Sequence, residues 1–200
     1  MEVKNILKLA IVFLDKKDLL EDEVFLGEVP ETYTSSQSRT EEIESLLLCL
    51  NLVYNEIARD YLPLFSKEEI VFEQDKFLYA NLSKVLLDVH SLKNENGKTI
   101  KFKMYPSFLE AKAKKAIIEY SYEPDELEIN SLIENFSSRI PARVFAYGVA
   151  MEYSFLNSLS TEALIWESRY KDALINIARK KAQVILPARR WIWCFCQKNC

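Results

Sequence analysis

Glycine occurs only three times among the 200 residues of this chain, at Gly27, Gly97 and Gly148. So small a supply of the one residue that enters left-handed backbone freely argues against a glycine-rich phosphate cradle and against a fold of many tight turns. Histidine is scarcer still. His90 stands alone in the strand-like run Asp88-Val89-His90; with no nucleophile signature in the chain, it reads as a surface strand residue rather than a base or ligand. Long apolar runs are missing too: each is interrupted by Lys, Asp or Glu before the ~20 residues a membrane span requires. The start Met1-Glu2-Val3-Lys4-Asn5 has no small-residue cleavage site, so the sequence predicts a soluble protein made in the cytoplasm. Cysteine appears four times, Cys49 alone and Cys194, Cys196 and Cys200 crowded together at the end. That is not a disulfide framework, and the spacing departs from structural zinc sites, so free thiols and no metal or other cofactor are expected.

What is present is an ordinary globular composition, 49% apolar and 28% charged, enough for one sizeable core and a small second lobe. The formal charge of -4 conceals an asymmetry: residues 169–200 hold eight Lys or Arg and a single acid, Asp172, for +7, which leaves -11 on the first 168 residues. A basic end on an acidic body suits contact with an acidic partner surface or nucleic acid, whereas a pI near 5.3 argues against a whole face that grips DNA.

Apolar spacing then divides the chain. Ile6, Leu7, Ala10, Ile11 and Leu14 recur at helical steps and predict a helix over residues 3–20. Residues 21–37, with Pro30 and a run of Thr and Ser, read as a long loop. Ser38 and Glu41 form a capping-box pattern ahead of Ile43, Leu46, Leu47, Leu50, Val53, Tyr54, Ile57 and Tyr61, the strongest helical stripe, which Pro63 closes. Between about residues 69 and 124 the period becomes two, in Val85-Leu87-Val89, Ile100-Phe102-Met104 and Ala116-Ile118-Tyr120-Tyr122, which predicts a small antiparallel sheet. Asn96-Gly97 supplies a hairpin turn with positive φ, and residues 106–113 a second turn.

Residues 125–138 read as an acidic, polar connection. Ile140-Pro141 then opens a helix carrying the stripe Val144, Gly148, Met151, Phe155, and Gly148 inside that stripe suggests the close approach of another backbone, with simple tolerance as the alternative. Ser160 caps a last helix reaching about Lys181, with Trp166, Tyr170, Leu174 and Ile177 on one side and a Glu167–Lys171 pair. The fold class expected is α+β, mainly α: a helical bundle with a small antiparallel β insertion and an extended C-terminal arm. Its parts are N-terminal helices in 1–65, the sheet in 66–125, C-terminal helices in 126–183 and the arm in 184–200.

No constellation supplies a nucleophile with a base. The acid pairs Glu41-Glu42, Glu68-Glu69 and Asp125-Glu126 sit at helix starts or in polar connections, where solvated acids are ordinary. The C-terminal segment is different. Gln183-Val184-Ile185-Leu186 has strand propensity, Pro187 stops it, and Arg189, Arg190, Trp191 and Trp193 are of the types that dominate interface hot spots. Ile185, Leu186, Pro187, Arg189, Arg190, Trp191 and Trp193 are therefore the candidate partner-binding residues. Protein docking is favoured, with nucleic-acid binding through phosphate contact and stacking as the alternative; a tail folded back on its own bundle is the third reading.

Three segments carry a family resemblance: Ile140-Pro141-Ala142-Arg143-Val144-Phe145-Ala146-Tyr147-Gly148-Val149-Ala150-Met151-Glu152-Tyr153, Ala163-Leu164-Ile165-Trp166-Glu167-Ser168-Arg169-Tyr170-Lys171-Asp172-Ala173-Leu174, and Pro187-Ala188-Arg189-Arg190-Trp191. With Tyr120-Ser121-Tyr122-Glu123-Pro124-Asp125-Glu126-Leu127 leading into them, the chain resembles the head-to-tail connector (adaptor) proteins of tailed bacteriophages. The resemblance implies a non-enzymatic virion protein at the portal vertex, present in the host cytoplasm during assembly. It further implies a ring, commonly of twelve copies, bound to the portal protein by a terminal arm at 184–193, with neighbouring copies and a neck or tail protein as further partners and packaged DNA passing through its channel.

Overall fold

The computed structural model describes residues 1–22, 24–25, 37–136 and 140–185, with the side chains of residue 37 and residues 178–185 left aside. Four α-helices and two small antiparallel sheets form the described fold, so the chain is α+β and mainly α, with every strand between the second and third helices.

The helices are α1 Val3–Phe13, α2 Gln37–Glu56, α3 Ala142–Leu156 and α4 Ser160–Ile185. The bundle is built around α3, in which no residue from Val144 to Ser154 is exposed. A helix this thoroughly buried must be covered on all sides, and α1, α2 and α4 each pack against it. The coverings are tied to one another at their edges. Phe13 of α1 stacks on Trp166 of α4 at 5.3 Å, Lys16 pairs with Glu42 of α2 at 2.7 Å, and Tyr170 of α4 donates to Glu56 of α2 at 2.9 Å.

The chain ends two helices with left-handed turns that use no glycine, the first earlier than the sequence reading placed it. Asp15 has φ +54° and Ser158 φ +59°. At each, two backbone hydrogen bonds close the end of a helix: Asp15 N–H to Val12 O and Lys16 N–H to Ile11 O after α1, Ser158 N–H to Phe155 O and Leu159 N–H to Ser154 O after α3. This is the Schellman arrangement with a non-glycine residue at its left-handed position. It stops α1 at Phe13 rather than residue 20, and a separate 3-10 turn follows over Lys17–Glu21. The α2 stripe buries as expected, Leu46, Leu50, Val53 and Ile57 completely, and its run ends in a π turn at Ile57–Tyr61 before Pro63. Ser38 and Ser160 lie inside their helices rather than at the caps. Leu159 O accepts the first bond of α4, from Ala163 N–H.

The β region holds two three-stranded sheets rather than one. β1 Leu64–Val71, β6 Lys115–Tyr122 and β3 Leu86–Lys93 pair in the order β1-β6-β3; β2 Lys76–Leu78, β5 Phe108–Glu110 and β4 Lys103–Met104 in the order β2-β5-β4. The alternation of β6 is borne out, with Ala116, Ile118, Tyr120 and Tyr122 buried. That of β3 is not: register shifts between Leu86 and Asp88 and between Val89 and Ser91 break the period of two, so Val89 and Leu92 are buried while Val85 is exposed. Of the Ile100-Phe102-Met104 run only the end is strand, and the stretch read as a turn at 106–113 contains β5. At the Asn96-Gly97 turn, Gly97 alone has positive φ, +75°. A second tight turn that sequence reading missed joins β1 to β2 through Gln74 and Asp75, at φ +52° and +64°.

The connection read as polar turns out to be part of the core. Leu127, Ile133 and Phe136 are buried, and Phe136 meets Tyr54 edge to face at 5.4 Å. Asn51, on α2, clamps this segment by accepting from Leu127 N–H at 2.7 Å and donating to Leu127 O at 3.1 Å. Met1 and Val3 bond to Ile133 and Ser131. The long loop expected over 21–37 lies mostly outside the described residues.

Candidate docking surface

Of the residues the sequence nominates for docking, only Ile185 falls within the described backbone, as the last residue of α4. Leu186, Pro187, Arg189, Arg190, Trp191 and Trp193 lie outside the described residues. The reading of Gln183-Val184-Ile185 as strand is corrected, because all three are helical. Ala, Leu, Lys and Arg dominate the preceding turns and carry the helix through the β-branched pair. The predicted arm therefore shortens from 184–200 to the residues after Ile185.

The geometry of α4 sets where that segment begins. Asn157 to Leu159 is a tight connection, so α3 and α4 run antiparallel, and Gly148 of α3 faces Tyr170 of α4. Ala142, at the start of α3, is then level with about residue 175, and α4 continues for about ten residues, or about 15 Å, past it.

Gly148 is the tightest point of the bundle. A Cβ built there would lie 2.7 and 2.8 Å from the two methyl groups of Val53 and 3.0 Å from the Tyr170 ring. Its reason for being glycine is thus the approach of side chains from α2 and α4, not of another backbone. Beside this crossing sits a group of half-buried ionisable side chains. Burial pushes Glu56 up from the ordinary carboxylate range, against the hydrogen bond from Tyr170. Burial also raises Glu152, one turn beyond Gly148 on the same face, and the Glu56 charge adds to the shift. Tyr170 moves far up, through burial first and then Glu56. Burial, with Glu152 second, pushes the Cys49 thiol up to about 12, so it is an inert thiol inside the bundle and not a nucleophile.

Large apolar side chains of the bundle reach solvent: Leu48 and Leu52 on α2, Phe155 and Leu156 on α3, Leu164 on α4, the last 60% exposed. Helical spacing fixes the face each occupies. Leu52 precedes Glu56 by one turn. Phe155 lies seven residues beyond Gly148. Leu164 lies seven before Lys171, on the flank that Lys171 turns toward Glu56 and Tyr61. Leu52 and Glu56 also line a cleft of about 310 Å³ with Arg59, Asp60, Leu87 and Glu123. The sequence signal for this surface is the unbroken Leu46-Leu47-Leu48-Cys49-Leu50, wider than one helical stripe can bury.

The remaining sequence candidates are placed elsewhere. His90 is exposed on β3, as expected, with its ring 4.6 Å from Phe65. Glu42 pairs with Lys16 and Glu69 with Lys115. Glu68 accepts from Ser83 and Tyr120, and these bonds outweigh its burial to hold it below the ordinary range. The Glu167–Lys171 pair forms. Open clefts of about 570 and 590 Å³ in the β region do not include His90. Among the described residues, no group of three or more His, Cys, Asp or Glu could hold a metal ion, and no helix is long and apolar enough to cross a membrane.

No protein-family model matches this chain, and no curated protein matches it.

Proposed function

We propose that this chain is a virion structural protein, a head-to-tail connector that forms a ring beneath the portal of a tailed bacteriophage and links it to neck or tail proteins. The observation that carries the reading is the layout. A helical bundle with its strands between α2 and α3 sends its longest helix, α4, past the start of α3 and into a terminal segment of Arg189, Arg190, Trp191 and Trp193. In this reading that segment anchors the subunit to the portal protein. The ring multiplies a modest contact by symmetry, so weak individual interfaces give a stable collar. The work done is assembly without turnover, and an acidic body suits a channel through which packaged DNA slides without sticking.

The +7 charge on residues 169–200 favours one second reading, a nucleic-acid-binding or regulatory protein. Co-purification with a portal protein from the same genome separates the two. Capture by the portal that is lost on removing residues 186–200 supports the connector. Capture by DNA that falls steeply with salt and disappears in the Arg189→Ala/Arg190→Ala variant supports the alternative.

A further inference from the structure

We infer that the cleft lined by Tyr79, Val85, Leu87, Met104 and Tyr105 takes an unpaired base of a single-stranded nucleic acid, with the strand's phosphates on the lysines around it. The inference stands apart from the connector reading and from the basic tail, because every residue it uses lies in the β region.

Charge selects the class of partner. Residues 76–115 hold nine Lys against Asp88, Glu95 and Glu110, for +6, and seven of the nine are exposed. With +7 on residues 169–200, the rest of the chain carries -17, so cations are gathered on this part of an acidic body. A surface of that kind attracts polyanions.

The second sheet adds an aromatic face. Its register sets Lys76, Glu110 and Lys103 in one cross-strand row and Phe77, Leu109 and Met104 in the next. In the third row Leu78 stands opposite Phe108, and Tyr105 donates its N–H to Phe108 O at 2.9 Å. Alternation puts the first and third rows on one face, and the burial of Phe77 and Leu109 on the other turns that face outward. There Tyr105 stacks on Phe108 at 4.5 Å, and the Lys76 ammonium lies 5.1 Å from the centre of the same ring. β5 runs between β2 and β4, so the two approach Phe108 from opposite sides. Tyr105 ends the stack, 38% exposed.

The cleft lies at that end. It holds about 570 Å³, and Tyr105 and Met104 line it together with Tyr79, Lys84, Val85 and, from β3 of the first sheet, Leu87. That volume is ordinary for a small-molecule pocket. Val85 and Met104 are exposed, and so is Lys103, two residues before Tyr105 on the same face. An apolar slot with an aromatic wall and cations at its rim fits a base and the phosphates beside it. A nucleic-acid strand offers a π-face and a negative charge at every step, whereas an acidic peptide offers the charge alone. In a duplex the bases are stacked on one another, so only an unpaired base can reach Tyr105.

The test follows the fluorescence anisotropy of a labelled oligothymidylate of about twenty nucleotides, longer than the span such surfaces cover. The full chain is used, at about 50 mM salt. The wild type should bind the strand, and the Arg189→Ala/Arg190→Ala variant should retain that binding. Tyr105→Ala should weaken it about 5- to 150-fold, the range for loss of one stacked base, while Tyr105→Phe keeps it. Lys101→Ala/Lys103→Ala should weaken it and lower the slope of log affinity against log salt by about 1.4, about 0.7 for each phosphate contact. The β-region positions changed are all exposed, and circular dichroism checks that each variant folds. The duplex with oligoadenylate should bind more weakly and be indifferent to Tyr105→Ala. A wild type that ignores the strand, a Tyr105→Ala variant that binds like the wild type, or a duplex bound as tightly as the strand would each overturn the inference. So would loss of binding in the Arg189→Ala/Arg190→Ala variant, or displacement of the strand by polyglutamate as readily as by unlabelled oligothymidylate at equal charge.

Discussion

Gly148→Ala is the substitution whose outcome follows most closely from the packing. In a helix interior alanine is better than glycine by about 1 kcal/mol, so propensity alone predicts a gain. Against it stands the new methyl, which would sit 2.7 and 2.8 Å from the Val53 methyl groups and 3.0 Å from the Tyr170 ring. Neither neighbour yields easily. Val53 is β-branched and completely buried, hence stiff at χ1, and Tyr170 is buried with its hydroxyl tied to Glu56. Overpacking of this kind costs about 1–3 kcal/mol, so the expected net effect is a loss of about 1 kcal/mol. Val53→Ala should by itself cost about 2–3 kcal/mol, two buried methyl groups plus the cavity they leave. It also clears the space that the new methyl needs, so the double variant should lose less than the sum of the singles by about 1 kcal/mol. Urea unfolding followed by circular dichroism gives all three values. A stabilised Gly148→Ala, or losses that add within about 0.3 kcal/mol, would refute the steric account.

The other predictions concern the same bundle. Ser158→Gly should stabilise by about 0.5–1 kcal/mol, read as a raised urea midpoint, because glycine relieves the left-handed position that ends α3. Tyr170→Phe should cost about 1–2 kcal/mol by removing the donor to half-buried Glu56. Glu152 is raised in the folded state, so its contribution is fully present below the ordinary carboxylate range and is lost as pH rises through the raised value. Glu152→Gln should therefore increase stability at neutral pH relative to about pH 4, and equal gains at both would contradict the assignment. Cys49 should react with a thiol reagent only after unfolding in a Cys194→Ser/Cys196→Ser/Cys200→Ser background, and reaction at a surface-thiol rate in the folded protein would place it wrongly.

Elements whose residues all served one face were legible in the sequence. The α2 stripe, the alternation of β6 and the Tyr170-Leu174 side of α4 could be read because burial alone decides them. The helix end after Phe13 was not, since Asp15 does what glycine usually signals. The β1–β2 turn was hidden for the same reason, by Gln74-Asp75. Leu127, Ile133 and Phe136 escaped notice because single apolar residues in an acidic stretch carry no period; only the tertiary clamp from Asn51 brings them inward. The exposure of Leu48 and Leu164 was hidden because both look like extra core until α3 is seen to fill the centre. The helix through Ile185 reflects the strong helix formers before it overriding a locally strand-like quartet.

The central claim is tested most directly by the mass in solution of the purified chain, alone at low concentration and mixed with a portal protein from the same genome, from light scattering after size exclusion. The connector reading predicts a small species alone and, with the portal, a complex heavier by a ring of subunits. A chain whose mass is unchanged by the portal but shifted by DNA would contradict it.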